Sequence, residues 1–540
     1  MHFAARRALP AAVFAAYAAL AAAWTWPIAA HPAQLALVNE DVLGNSWAMA
    51  WVVRQAVRDP LHLYDANLYY PYEHSLAFTE SLLPEALQAA PVLLAGGGPL
   101  LAHNVVALLT FSLCGLGAYL LARDLYGAGW GGFLAGLTYA GCAYRFAHLV
   151  HVQSLSMQWF PFAFLFLHRA AVDGRKRDLA GLAIFSTLQA LSSGYYALAL
   201  AAGMAAALAA EWPVLRRQRT AGRVAMALVV AAGLTVLALV PYAAARSESG
   251  FTRSRQEMVH WSARWSSFLD PGEYAWLPHV RWLHERFASS PLYPGTAALA
   301  LAVAGLTRRP RDPGRRLPLL LIAFGVALSL GPDVHLGPWR LPGPYELLRG
   351  LPLVDRLRTP VRLGVLAMLG ISLLAAAGWQ RLMSGRRGEA ILAAAVATLM
   401  ALEVHPLGLA DQVRAAPAIP ASARWLATAP RGPVLELPWD HQTEGRGALY
   451  LYWSTVHWQQ LVNGWGAYSP PGPFGLGVIG HRWPSAYTAR VFREAGIRYV
   501  VVHVDAITDG QRRRLMQEAP PEGTRLVFDS GWERVYVTEP

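Results

Sequence analysis

The sequence is poor in charge, in cysteine and above all in lysine. Only 15% of its 540 residues are charged, whereas soluble domains carry about 25%, so the composition excludes an ordinary soluble domain. Lys176 is the one lysine, so arginine supplies nearly every cation and a single arginine is weak evidence of an anion site. Cys114 and Cys142 both lie in apolar segments, which excludes a disulfide framework.

The chain also lacks a glycine-rich phosphate loop followed by Lys and Ser or Thr, which argues against an ATP-driven pump. Its formal net charge is +12, a value that in isolation is compatible with nucleic-acid binding. The basic residues, however, fall in short clusters between apolar runs, which is the pattern that orients membrane proteins. We therefore predict membrane lipids as partners and no nucleic acid.

Apolar runs dominate what is present, since 55% of the residues are hydrophobic and the mean hydropathy is +0.29. A spanning helix needs about 20 mostly apolar residues. This criterion predicts an α-helical polytopic membrane protein with about eleven transmembrane helices, at 8–30, 99–122, 128–144, 155–172, 178–193, 195–211, 223–245, 293–307, 317–331, 361–380 and 389–406. The first run is long for a signal peptide, so we expect an uncleaved span.

The distribution of arginine fixes the orientation. With a cytoplasmic N-terminus, the basic segments "DGRKRD", "LRRQRTAGR", "TRRPRDPGRR" and "RLMSGRRGE" all fall on the inner side, as the positive-inside rule requires. The outer side then receives the long loops 31–98, 246–292 and 331–360 of a membrane domain that covers 1–410. We predict a multi-pass protein of the bacterial inner membrane.

Residues 420–540 have a different pattern and predict a small extracytoplasmic α/β domain. "GPVLELPW" and "IRYVVVHV" are short strand-like runs, and "TRLVFDSGWERVYVTEP" is typical of a hairpin that turns at "DSGW". "SAYTARVFREAG" predicts a helix that ends at Gly496.

Two adjacent acids, Glu40 and Asp41 in "LALVNEDVLGNSWAMAW", follow the first apolar run directly. One interpretation is that they are solvated loop acids that favour the start of an interfacial amphipathic helix at Asn45 or Ser46. The other is a catalytic carboxylate at the membrane surface that takes a proton from a nucleophile or holds a metal. The residues alone leave both open.

The chain resembles the GT-C superfamily of integral-membrane glycosyltransferases, in an uncharacterised bacterial branch. The likeness rests on the acidic pair in "NEDVLGNSW" and on the tracts "DPLHLYDANLYYPYEHSLAFTESLLPEALQAAP", "YRFAHLVHVQSLSMQWFPFAFLFLHR", "VDRLRTPVRLG" and "VNGWGAYSPP". It implies transfer of a sugar, with inversion, from a polyprenyl-phosphate-linked donor to a glycan, lipid or protein acceptor. It also implies that Asp41 is the catalytic base, with Glu40 assisting.

Three arginines of "VDRLRTPVRLG", namely Arg356, Arg358 and Arg362, precede a span on the predicted outer face. Orientation does not require arginine there, and the guanidinium fork suits phosphate. We predict that they bind the donor phosphate, with Arg145 and Arg281 as weaker candidates. The alternative is that they snorkel to lipid head groups.

A divalent metal, Mg²⁺ or Mn²⁺, is an open question. The second outer loop carries His148 and His151, three residues apart, a spacing at which two histidines on a helix can share a metal. Asp41 with these histidines is a candidate metal set, and simple packing or water binding by the histidines is the alternative.

Aromatic and polar residues of two outer segments are candidates for binding the acceptor or its sugar. They are Asp65, Tyr70, Glu73 and His74 in the first outer loop and Trp465 in the C-terminal domain. The competing interpretation is that they shape a loop, pack a core or anchor the protein at the interface. A non-catalytic transporter or scaffold for lipid-linked sugars is the rival function.

Overall fold

The computed structural model describes residues 2–249, 253–306, 313–336, 339–351, 354–440, 442–443, 445–467 and 469–539, and most of these residues are helical. The chain divides into two compact units. Unit 1 comprises residues 1–32, 104–238 and 252–413, and unit 2 comprises 33–103, 239–251 and 414–540. Each unit is therefore built from segments that are far apart in sequence.

The described helices follow one another as α1 His2–Trp24, α2 Glu40–Arg58, α3 Leu83–Leu94, α4 Pro99–Tyr126, α5 Trp130–Ala140, α6 Ala143–Phe146, α7 Val152–Leu155, α8 Trp159–Val172, α9 Lys176–Ser192, α10 Gly194–Gln218, α11 Ala221–Ser249, α12 Arg255–His260, α13 Pro278–Phe287, α14 Thr296–Gly305, α15 Pro313–Ser329, α16 Val365–Met383, α17 Glu389–Glu403, α18 Leu409–Gln412, α19 Ala421–Thr428, α20 Arg446–Ser454, α21 Pro473–Ile479, α22 Ala486–Glu494 and α23 Asp509–Gln517. The strands are β1 Leu35–Ala36, β2 Asp333–Leu336, β3 Trp339–Pro342, β4 Arg414–Ala415, β5 Val434–Leu437, β6 Tyr499–His503, β7 Thr524–Asp529 and β8 Glu533–Thr538.

Every apolar run that the sequence marks as a span coincides with a helix of the structure. Among the described residues, four helical stretches are long and apolar enough to cross a membrane, Pro99–Tyr126, Gly194–Gln218, Ala221–Ala243 and Pro360–Met383. The other runs form shorter or less apolar helices. The structure therefore supports a helical membrane protein, while the count of eleven spans stays a prediction.

Close contacts at glycine hold the helices of unit 1 together. A Cβ at Gly378 in α16 would lie 1.9 Å from the Leu301 carbonyl oxygen of α14, and one at Gly305 would lie 2.2 Å from the Leu374 carbonyl oxygen. Two helix backbones touch directly where both present glycine, as is common between membrane helices. Cys114 and Cys142 are buried and free in this core, as expected.

Unit 2 contains a four-stranded sheet in the order β5-β6-β8-β7. Strands β5 and β6 are parallel, while β6, β8 and β7 are antiparallel neighbours. The predicted strand runs, the hairpin and the helix α22 are all present, with Gly531 in the hairpin turn at φ +83° and Gly496 after α22 at φ +73°. Glycine suits both positions because a side chain strains this backbone conformation.

The first loop region packs with this sheet domain inside unit 2. Strand β1 pairs with β4, and the backbone N–H groups of Tyr69 and Tyr70 donate to the Asn463 and Leu461 carbonyls at 3.2 and 2.8 Å. Helix α2 begins at Glu40 and is buried over Val42–Val53. The expected helix start at Asn45 or Ser46 is therefore wrong, because Asn39 caps the helix earlier in the chain.

Candidate functional site

The two acids Glu40 and Asp41 form the first turn of α2. The side chain of Asn39 accepts a hydrogen bond from the Asp41 N–H at 2.7 Å, which is the usual capping contact. Exposed backbone N–H groups give a helix N-terminus a partial positive charge that stabilises carboxylates beside it. Glu40 is exposed and Asp41 half-buried, so both are ionisable groups within reach of a ligand.

Trp465 and the start of α20 complete the surroundings of these acids, and we call Glu40, Asp41, Gly445 and Trp465 the acidic site. A Cβ at Gly44, one turn after the acids, would lie 2.2 Å from the Trp465 ring. A Cβ at Gly445 would lie 1.8 Å from a Glu40 carboxylate oxygen. The Trp465 indole thus lies on the backbone of α2, close to Glu40 and Asp41. All three residues are site candidates predicted from the sequence.

The other acceptor candidates of unit 2 make contacts that shape the loop. Asp65 accepts a hydrogen bond from the His74 N–H at 2.8 Å and lies 3.0 Å from its Nδ1, which stabilises His74 at φ +49°. The Tyr70 hydroxyl lies beside Gly496, and Glu73 is exposed. These contacts favour the loop-shaping interpretation, and an acceptor-binding role for these residues stays a prediction.

In unit 1, Arg253, Arg358 and Arg362 converge around Glu257 and Tyr195, and we call these three arginines the arginine cluster. Arg253 and Arg358 approach the same Glu257 oxygen at 3.0 and 3.7 Å. The Arg362 guanidinium lies over the Tyr195 ring, with its Cζ 4.8 Å from the ring centroid. The Tyr195 hydroxyl also accepts the Arg358 N–H at 3.0 Å.

The pKa of Arg253 reflects the charges around it in the cluster. Burial lowers the pKa of Arg253, and the Arg358 charge lowers this pKa further, while Glu257 raises it. A depressed arginine pKa indicates that the guanidinium lacks full hydration and compensation. An anion placed beside this cluster would relieve that cost.

Sequence reasoning missed two members of this site. Arg253 is one of two arginines in "TRSR", and its partner Arg255 instead pairs with Asp333 at 2.7 Å, so the local pattern does not say which arginine belongs to the cluster. Tyr195 lies in "SSGYY", where α9 ends and α10 begins. Only the packing of distant segments reveals either residue.

Two of the predicted phosphate ligands, Arg356 and Arg145, are not part of the arginine cluster. The side chain of Arg356 lies outside the described residues. Arg145 is fully buried, and its guanidinium donates to the Leu155 carbonyl at 2.7 Å and to Thr110 Oγ1 at 2.8 Å. It also lies 4.0 Å above the Phe111 ring, so its geometry favours a structural role.

The two candidate metal-binding histidines are close in space, with ring centroids 5.5 Å apart. They do not share a helix as the spacing suggested, because α6 ends at Phe146 and α7 begins at Val152. Burial lowers the pKa of His148 well below its usual value, and the Arg362 and His151 charges add to this effect. The ring is therefore neutral at pH 7.

A complete metal set is not visible in the described part of the chain, where no three His, Cys, Asp or Glu side chains converge as ion ligands. Asp41 belongs to unit 2, whereas His148 and His151 belong to unit 1. The contact of the Nδ1 of His148 with the Tyr144 carbonyl at 2.9 Å orients the ring without a metal.

Comparison with known proteins identifies the fold. Neither a protein-family model nor a curated protein matches the chain. Among solved structures, the arabinofuranosyltransferase AftD from Mycobacteria superposes with a TM-score of 0.56 at 18% identity over 99% of this chain. ArnT from Cupriavidus metallidurans superposes with a TM-score of 0.51 at 13% identity.

Coverage differs between these two structures. The chain spans about two fifths of AftD, 40% of its length, but 97% of ArnT. At these identities the likeness concerns the fold, and it agrees with the resemblance carried by the sequence motifs. The chain therefore shares its fold with the arabinofuranosyltransferase AftD and with ArnT.

Proposed function

We propose that the protein is a membrane glycosyltransferase that moves a sugar from a polyprenyl-phosphate-linked donor to an extracytoplasmic glycan, lipid or protein acceptor. The observation that carries the proposal is the carboxylate pair Glu40 and Asp41, which lies in the first turn of α2 beside Trp465 in a chain with this fold. A carboxylate within reach of an acceptor hydroxyl is suited to take its proton.

In the proposed reaction Asp41 accepts the proton of the acceptor hydroxyl, whose oxygen attacks the anomeric carbon. The bond from that carbon to the phosphate oxygen breaks, and polyprenyl phosphate leaves with the electron pair. Attack opposite the leaving group inverts the anomeric configuration. Glu40 assists by accepting a hydrogen bond from the acceptor, which helps to orient it.

The proposed phosphate site is the arginine cluster, with Arg356 and Arg145 retained as sequence-based candidates. Arg358 and Arg362 are supported by their convergence with Arg253 around Tyr195. Positive groups fixed beside the leaving group stabilise the charge that develops on it. This electrostatic contribution requires no proton transfer from the arginines.

We further propose the topology that the basic loops predict: eleven spans in the bacterial inner membrane, a cytoplasmic N-terminus, and an extracytoplasmic α/β domain over 420–540. The four helical stretches that are long and apolar enough to cross a membrane support the membrane location. In this orientation both the acidic site and the arginine cluster belong to outer segments. Whether a divalent ion takes part is tested by the assay below.

The rival, a transporter of lipid-linked sugars, needs ionisable groups deep within spans. Among the described residues, three buried acids occur in predicted spans, Asp178, Glu211 and Glu403. Asp178 lies in the first turn of α9. Glu211 lies in the last third of α10, where His168 Nδ1 contacts it at 2.8 Å, and Glu403 is the last residue of α17. Their positions toward helix ends favour structural roles and not coupling.

The test is sugar transfer and donor hydrolysis by purified wild type and Asp41→Asn with a panel of polyprenyl-phosphate sugars. We expect turnover by the wild type and a loss of about 100-fold or more in the variant, the usual scale for removing a general base. The same panel with EDTA measures whether a metal takes part.

Asp59→Asn is the matched control, because Asp59 caps the opposite end of α2 and pairs with exposed His62 at 2.7 Å. It is expected to keep wild-type turnover. Full activity of Asp41→Asn would show that the proposed base is wrong. Donor binding without turnover in the wild type would favour the scaffold.

A further inference from the structure

A cavity of about 520 Å³ lies in unit 1 between the loop before α13, helix α13 and the chain after α17. Its lining is mainly polar and includes Glu273, Trp276, Arg281, His284 and Glu285. The volume is within the range of about 300–1,000 Å³ that ligand sites occupy. Apart from Arg281, a weaker sequence-based candidate for the donor phosphate, none of these residues is assigned a part in the proposed transfer chemistry.

The His284 ring is held in place by a fully buried carboxylate. Asp270 is 0% exposed and accepts the Ser289 and Gly272 N–H groups at 2.7 and 2.8 Å. Its Oδ1 also lies 2.8 Å from His284 Nδ1. This contact engages Nδ1 and orients the ring, so Nε2 is the ring nitrogen that can hydrogen-bond to a ligand in the cavity that His284 lines.

Trp276 supplies an apolar ring to the same cavity. Its Nε1 donates to the Leu402 carbonyl at 2.8 Å, which fixes the indole, yet 37% of the residue stays exposed. A fixed, partly exposed indole presents an apolar surface beside polar groups. That combination matches a sugar ring, which has a face of C–H groups and an edge of hydroxyls.

The charged groups of the lining favour hydroxyls over an anion. Two carboxylates, Glu273 and Glu285, stand against one guanidinium, Arg281, so the cavity repels a phosphate or an anionic head group. Arg281 and Glu285 form an exposed pair at 3.2 Å. Such exposed pairs contribute little stability, so a ligand can take over these contacts at small cost.

We infer that this cavity is a binding site for a neutral sugar of a glycan, stacked on Trp276 and hydrogen-bonded by Glu273, Glu285 and His284 Nε2. As a subsite for a glycan acceptor, the inference rests on the proposed function. Binding itself does not, because none of these groups belongs to the acidic site or to the arginine cluster. The sugar contacts are reversible and no bond is made or broken.

The experiment is isothermal titration of the full-length protein in detergent with tetrasaccharides of glucose, mannose, galactose and arabinose. We expect the wild type to bind at least one of them, and Trp276→Ala to raise its Kd by about tenfold or more, as removal of a central tryptophan does elsewhere. Glu273→Gln is expected to weaken binding by a smaller factor. Trp282→Ala is the control, because Trp282 lies on α13 with 60% exposure but does not line the cavity.

The outcomes separate this inference from the proposed function. Asp41→Asn is expected to bind the tetrasaccharide as the wild type does, even when transfer is lost. A transfer-active wild type that binds none of the sugars overturns the sugar site and leaves the transferase. Unchanged sugar binding by Trp276→Ala would show that the sugar does not stack on this indole and would also overturn the inference.

Discussion

At Gly44 the missing side chain allows Trp465 to lie directly on the backbone of α2. A Cβ there would lie 2.2, 2.4 and 2.9 Å from three ring carbons, and the ring belongs to a stretch that also carries Asn463, buried and bonded to Glu436. The indole therefore cannot retreat without moving that stretch. One residue thus fixes the distance between the acids and the tryptophan of the acidic site.

Gly44→Ala is expected to destabilise the protein and to reduce turnover. Alanine gains about 0.5–1 kcal/mol within a helix, but overpacking against a ring costs about 1–3 kcal/mol, so the net change is a loss. The measurements are the thermal midpoint and the rate of donor hydrolysis.

Gly510→Ala in α23 is the matched control, since its added Cβ meets nothing within 4 Å and only the helical gain applies. A Gly44→Ala protein that melts at or above the wild-type temperature with an unchanged rate would refute the close contact.

At the scale of elements, Asn67 joins three parts of unit 2. It accepts from Trp47 Nε1 of α2 at 3.0 Å and donates to Ser454 Oγ of α20 and to the Gln459 carbonyl, both at 3.0 Å. The residue is 3% exposed, and without it the buried Trp47 Nε1 would lose its hydrogen-bond acceptor. The amide therefore determines how α2 lies against α20, and with it the position of the acids.

Asn67→Ala is expected to cost about 3 kcal/mol of unfolding free energy, because three hydrogen bonds are lost at about 1 kcal/mol each. Denaturant unfolding of the purified protein measures it. Gln460→Ala is the control, because Gln460 is exposed and follows Gln459, one of the partners of Asn67. Its free energy of unfolding is expected to stay within about 0.5 kcal/mol of the wild type. Equal stability of the two variants would remove Asn67 from this role.

For the whole molecule, the important feature is that residues 33–103 and 414–540 belong to one compact unit. The predicted boundary places 420–540 in a domain of its own, and that boundary stays a prediction. In the structure, the backbone N–H groups of Tyr69 and Tyr70 donate hydrogen bonds to carbonyls within 461–463. The Tyr69 ring also packs on Gly464, where an added Cβ would lie 2.2 Å from a ring carbon. The sheet domain therefore depends on the loop for part of its packing.

A fragment of residues 420–540 is expected to lack a cooperative thermal transition, since it exposes the surface that α2 and the first loop cover. Circular dichroism and proton–nitrogen correlation spectra measure this. Joining residues 33–82 to the fragment through a flexible linker is the matched comparison and is expected to improve the dispersion of the spectrum. A cooperative melt of the isolated fragment would contradict the dependence.

Local patterns account for what the sequence predicted. The helices at the apolar runs, the valine-rich strand β6 and the hairpin at "DSGW" follow from neighbouring residues, and all are present. The true start of α2 was also readable, because Asn39 followed by two acids is a helix-start signal. The alternative start at Asn45 or Ser46 is wrong, since both residues are buried within α2.

Contacts between residues that are distant in sequence are not encoded in any local pattern of this kind. Trp465 and Asp41 were both predicted site residues, but their proximity depends on the glycine at position 44, which the sequence alone does not single out. Arg253, Tyr195 and the Asp270–His284 pair join segments whose contact only the folded chain defines. A sequence shows which side chains can form hydrogen bonds or ion pairs, but it does not show which residue each of them contacts in the folded chain.

The composite make-up of unit 2 also has a consequence for synthesis. Asn67 and Gln459 are 392 positions apart, so at translation rates of about 5–20 residues per second the first loop waits on the order of 20–80 s for its partner. During that interval Trp47, Tyr69 and the other surfaces buried in the final unit are open to proteases and chaperones. The nascent chain is therefore most vulnerable in its first loop, long before the last helices of the membrane domain have left the ribosome.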